Sequence, residues 1–222
     1  RVIAEERKQK TDQLLYSLPI TTSQVVVGKY LALLVVFFIP LCIVSLYPLI
    51  FAQFGDVYLM TSYGSLLAFF IMGAALIAVG TFISSLTENQ GFAAGIAIPV
   101  ILFNYYSVSL AEHISASAMG SVISLCALAV ILGLVIRFLT GNEGLAFSVS
   151  LLLIIIIGIA GFVDISSFEG LLPKIMNRLS LFERFYSFVN GVFDFTSIVY
   201  FISVIVFFLF LSVQSLEKRR YN

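Results

Sequence analysis

The sequence predicts an all-α fold, a polytopic bundle of about six transmembrane helices with an external amphipathic helix added. Three observations predict it. Apolar residues make up 60% of the 222 positions and charged residues 11%, with a mean hydropathy of +1.09, whereas a soluble domain carries about 25% charged residues. The charges fall in a few clusters separated by long uncharged runs. Those runs of Leu, Ile, Val and Phe do not alternate with polar residues, so they fit helices and not the strands of a membrane barrel.

A helix rises about 1.5 Å per residue, so a hydrocarbon core of about 30 Å takes roughly 20 apolar residues. Six segments meet that length: Tyr30–Phe51, Leu66–Leu86, Phe92–Leu110, Met119–Arg137, Leu145–Phe162 and Thr196–Ser215. An even number of spans puts Arg1 and Asn222 on one side. Nine of the 12 basic residues fall on that side, namely Arg1, Arg7, Lys8, Lys10, Lys29, Arg137, Lys218, Arg219 and Arg220, against Lys174, Arg178 and Arg184 opposite. The positive-inside rule then turns both ends toward the cytoplasm, in a cell's inner (cytoplasmic) membrane.

The organisation that follows is a cytoplasmic segment over 1–29, five spans over 30–165, an external amphipathic segment over 166–195, and a last span with a basic tail over 196–222. Glu5 to Leu15 has helix-forming composition, and Leu18-Pro19 ends it because the residue before Pro avoids the α region. Thr21 and Gln24 form a capping pattern that starts the next helix. The turn from Ser84 to Gln90 is short, and Gly91 with Gly95 forms a Gly-x-x-x-Gly at the next span. Packing inside the bundle and a dimer contact both account for that pair. Between Ser166 and Phe193, Pro173 fits the first turn of a helix, and Phe182, Phe185, Val189 and Val192 recur at helical spacing. Such a helix lies in the interface or packs over the bundle mouth. Cys42 and Cys126 read as small buried apolar residues.

The uncharged interior excludes several functions. No charged residue stands between Lys29 and Asp56, Asp56 and Glu88, or Glu88 and Glu112, which leaves an ion-coupled transporter without a relay. His113, the only histidine, falls in a short loop beside Glu112, so neither a metal-dependent nor a serine intramembrane protease has its ligands or base. Ser84, Ser85, Ser107 and Ser109 are expected to bond to neighbouring carbonyls or helices. No Gly-x-x-x-x-Gly-Lys-Ser/Thr loop occurs, so this chain is not expected to hydrolyse ATP. No metal site, no catalytic residue and no nucleic-acid partner is expected.

Three stretches carry a family resemblance. The first runs from Ala4-Glu5-Glu6-Arg7-Lys8-Gln9-Lys10-Thr11-Asp12-Gln13-Leu14-Leu15 through Pro19 to Gly28-Lys29. The second is Phe82 to Gln90, and the third runs from Leu181 through Asp194 to Glu217-Lys218-Arg219-Arg220. In order and topology they resemble ABC type-2 permeases, in the branch that includes permeases of gliding motility and nitrous-oxide-reductase maturation. The resemblance implies a permease subunit coupled to a cytoplasmic ABC ATPase subunit that carries the ATP and Mg, and a second permease subunit, identical or related. It also implies a coupling role for Glu5, Glu6, Arg7, Thr11, Asp12, Leu14, Leu15, Pro19, Gly28 and Lys29, and for Glu88, Asn89 and Gln90. Members begin with a cytoplasmic segment and two further spans, so the chain is expected to lack its N-terminal part and to have eight spans when complete. Two alternatives stay open: segment 1–29 as a solvated loop whose basic residues attract anionic membrane lipids, and the whole as a scaffold or assembly factor without transport activity.

Overall fold

In a computed structural model that describes residues 2–9, 20–113 and 117–220, the chain is helical almost throughout, and no strand occurs among the described residues. The helices are α1 (Val2–Lys8), α2 (Thr22–Val44), the short α3 (Tyr47–Phe51), α4 (Leu59–Leu86), α5 (Gln90–His113), α6 (Ala118–Thr140), α7 (Glu143–Val163), α8 (Leu171–Leu179), α9 (Leu181–Val189) and α10 (Phe195–Arg220), with a 3-10 turn at Ile165–Phe168. Among the described residues five stretches are long and apolar enough to cross a membrane: Thr22–Phe51, Leu59–Leu86, Gln90–Glu112, Glu143–Val163 and Phe195–Lys218. The sixth expected span lies in α6, where the apolar stretch Ala118–Leu134 is shorter. The fold is thus the polytopic helical bundle that the uncharged runs predict. Several helices overrun those runs by a turn or more, because backbone hydrogen bonding continues into the polar flanks.

Side chains start and stop the helices. Thr21 caps α2 reciprocally: its hydroxyl accepts from the Gln24 amide at 3.3 Å, and the Gln24 side chain accepts from the Thr21 amide at 3.0 Å. Ser117 caps α6 and Asn142 caps α7. Between those two helices Gly141 adopts φ 68°, and its amide returns to the Arg137 carbonyl at 2.8 Å. Only a residue without Cβ takes that left-handed turn at little cost.

The chain forms two compact units. The first comprises residues 1–103 and 181–222, with α4 at its centre and α10 and α2 along it. Lipid offers apolar side chains no drive to associate, so such helices are held by close van der Waals fit and small residues. Ala68, Met72 and Ala75 of α4 accordingly meet Phe201 of α10 and Leu181 and Phe188 of α9. Phe37 of α2 stacks on Phe70 of α4, ring centroids 6.0 Å apart, and its ring tip lies 2.4 Å from where a Cβ on Gly73 would stand. A bare backbone is what lets α2 sit so near α4.

The second unit comprises residues 104–180 and is built on the α6–α7 hairpin. The two helices meet at Gly133, where a Cβ would lie 1.7 Å from the Ser150 hydroxyl and 3.2 Å from the Ala146 carbonyl oxygen. Near the end of α8, the Asn104 amide donates to the Leu179 carbonyl and the Ser180 hydroxyl donates to the Asn104 carbonyl, both at 3.4 Å.

Three local expectations are corrected. The segment 166–195 is not one helix: Ser180 separates α8 from α9, and α9 stops before Gly191, whose φ of 79° breaks the helical path. The buried residues of α9 are Leu181 and Phe188, with Phe182 and Phe185 partly covered, while Val189 and Val192 are exposed. Residue 113 closes α5 and is not in a loop. Cys42 is exposed on α2 and Cys126 is half-buried; neither forms a disulfide.

Candidate functional site

The short helix α1 is seated across the ends of three long helices by three kinds of contact. Ile3 packs with Val26 of α2 and Leu216 of α10, all three nearly inaccessible. Ala4 is fully buried, and its amide donates to the Ser84 hydroxyl of α4 at 3.1 Å. That amide lies in the first turn, where no intrahelical acceptor exists, so Ser84 supplies the missing partner. Two residues further on, the Glu6 carboxylate pairs with the Lys29 ammonium of α2, their side chains 33% and 15% exposed. Lys8, the last residue of α1, is exposed.

Further contacts stiffen the helix ends on which α1 rests. Tyr30, one residue after Lys29, is buried and donates its hydroxyl to the Ala74 carbonyl of α4 at 3.2 Å. Ser215 of α10 donates to the Ser85 carbonyl at 3.3 Å. In the turn after α4, the Asn89 side chain accepts from the Gly91 amide at 2.9 Å and the Phe92 amide at 3.4 Å, so it caps α5. Glu88 and Asn89 are exposed on the same end of α4 that receives α1.

The structure thus brings Glu6 and Lys29 together, with the Glu6 side chain still one-third exposed. Glu5 is half-buried on α1, and Gln90 opens α5. Of Arg7 only the helical backbone is described, and Thr11, Asp12, Leu14, Leu15 and Pro19 lie outside the described residues. Gly28 is exposed, and a Cβ there would meet nothing within 4 Å. The same holds for Gly95, while Gly91 has only the capping Asn89 oxygen nearby. Among the described residues, no other helix comes within 4 Å of a Cβ built on Gly91 or Gly95.

Two participants escaped the sequence reading. Ser84 reads there as one of several packing serines, and Ile3 carries no signal beyond being apolar. Their roles depend on contacts between α1 and residues far along the chain. Ser85 and Ser107 do bond to nearby carbonyls, of Phe82 and Asn104, each at 2.7 Å. Among the described residues no group of His, Cys, Asp and Glu could hold a metal ion.

A multi-pass helical membrane protein with a short helix tied to the ends of its spans is the class these features define. A family model described as ABC-2 family transporter protein matches residues 1–111, half of the chain, and these include α1 and all its contacts on α2 and α4. No curated protein and no solved structure matches the chain. The chain belongs to the ABC-2 transporter family, as a transmembrane permease component of an ABC transporter.

Proposed function

We propose that this protein is the permease subunit of an ATP-driven exporter or translocator, working with a cytoplasmic ATPase subunit and a second permease subunit, identical or related. Both described ends of the chain face the cytoplasm, ATP and Mg reside on the partner, and α1 with the residues after it passes the partner's motion to the spans. The observation that carries this reading is the seating of α1. A displacement of this helix reaches α2 through Glu6 and Lys29, α4 through Ala4 and Ser84, and α10 through Ile3 and Leu216. The ATPase-facing side then consists of the outer face of α1, the stretch through Thr11, Asp12, Leu14 and Leu15, and the exposed Glu88 and Asn89. The open faces of Gly91 and Gly95 are suited to a partner permease, because small residues admit close helix approach.

The test is a pull-down of the ATPase subunit in detergent, with expression level as control. Replacing Leu14 and Leu15 together by Asp should abolish co-purification while membrane insertion persists, since anchor residues of this kind can be worth about 2 kcal/mol or more. Undiminished co-purification would move the contact to Glu88 and Asn89. ATP hydrolysis by the verified lone chain would overturn the reading.

A further inference from the structure

A groove of about 500 Å³ opens beside α1 in the first unit. α2 lines it from Lys29 to Pro40, α5 from Ala93 to Ala97 and α4 from Ile77 to Ser84, and Ile3 of α1 borders its Lys29 end. We propose that this groove holds one acyl chain of a membrane phospholipid. The Glu6–Lys29 pair at its mouth receives a head group that carries both a phosphate and a primary ammonium.

Size, length and charge support this occupant. Close-packed interiors leave few spaces larger than a water molecule, and this one falls in the range of small-molecule sites. Along α2 it runs from Lys29 to Pro40, roughly 16 Å at the helical rise and so about half of a 30 Å hydrocarbon core. That is the depth of one leaflet. Its walls give a polar molecule little to bind, because the Thr81 hydroxyl already donates to the Ile77 carbonyl at 2.8 Å and the Ser84 hydroxyl already receives the Ala4 amide. The charged residue of its lining is Lys29, which is paired with Glu6 of α1.

An ammonium has three donors and a carboxylate several acceptor positions, so each can take a ligand group while the pair persists. A purely anionic head group would bring its charge against Glu6, and a purely cationic one would face Lys29. A zwitterion places its phosphate on Lys29 and its ammonium on Glu6. This site goes beyond the permease reading and needs only that α1 lie at the membrane surface. Its test uses the protein without the ATPase, so its failure leaves that reading standing.

The 222 residues contain no Trp, so a single reporter can be placed cleanly. V36W puts it in the groove lining and I39W puts it on α2 outside the groove, at positions of similar exposure. In phosphatidylcholine nanodiscs, brominated-chain phosphatidylethanolamine should quench V36W at about tenfold lower mole fraction than I39W, and brominated phosphatidylglycerol should not. E6Q in the V36W background should erase the head-group preference, and A97F should erase the difference between the reporters. Equal quenching of V36W and I39W by every lipid would show ordinary bilayer contact and overturn the site. A preference for phosphatidylglycerol would overturn the head-group assignment.

Discussion

The hydroxyl of Ser84 accepts a hydrogen bond from the amide of Ala4 at 3.1 Å, across 80 positions of sequence and at a buried site. A helix N-terminus is thereby closed by another helix. Replacing Ser84 by Ala leaves that amide without its partner, at a cost of about 1–2 kcal/mol. Hydrogen exchange at residue 4 should then accelerate about tenfold or more, with the middle of α4 unchanged. Unaltered exchange would mean that α1 is held by its apolar contacts alone.

The Glu6–Lys29 pair predicts a double-mutant cycle. E6Q and K29Q should each loosen α1, and together they should cost less than the sum of the two, with a coupling of about 0.5–1 kcal/mol because both groups are partly exposed. Thermal melts of the purified protein at low and high salt give the cycle. Additive effects would show that the pair contributes nothing.

Gly133 predicts a size limit in the α6–α7 hairpin. G133A sets a methyl group 1.7 Å from the Ser150 hydroxyl, so the melting temperature should fall, for a cost of about 1–3 kcal/mol. Adding S150A should recover most of the loss, since the Ala146 carbonyl at 3.2 Å needs only a small shift. A double variant no better than G133A would place the clash on the backbone.

Asp194, just before α10, predicts a pH dependence. The Ser197 hydroxyl, at 2.5 Å, and the amides of Thr196 and Ser197 hold its carboxyl below the ordinary value of 3.8. A depressed pKa means that the cap is fully present above the unfolded value and is lost as the pH falls through the lowered folded value. Protection from exchange in the first turn of α10, relative to a free amide at the same pH, should therefore be flat from neutral pH down to about pH 4 and fall only below it. D194A should lower that protection across the flat range, by about 1 kcal/mol of capping, and the difference from the parent should close as the cap is lost at low pH.

Orientation has its own test. In a C42S/C126S background, a cysteine at Ser166 should label from outside intact cells and one at Gln9 should not. The reverse pattern would invert the topology proposed above.

The spans were legible because bilayer thickness sets a length that an uncharged run either meets or fails. The Thr21–Gln24 cap was legible too, since a reciprocal cap depends on a spacing of three. The seating of α1 was not. Glu6 and Lys29 are 23 positions apart and Ala4 and Ser84 are 80 apart, and no local pattern links them. Cys42 was misplaced for a different reason. In a span apolar all round, composition does not reveal which face is covered, so a small apolar residue looks the same on either. The break at Gly191 depends on a backbone angle that the periodicity of Phe182 and Phe185 could not anticipate.

Two residues, Gly141 and Asn142, link α6 to α7. A tether so short reaches roughly 10 Å at full extension, so neither helix can slide far along the other. A linker so short favours insertion of the two as one hairpin, with the paired Arg137 and Glu143 at its closed end.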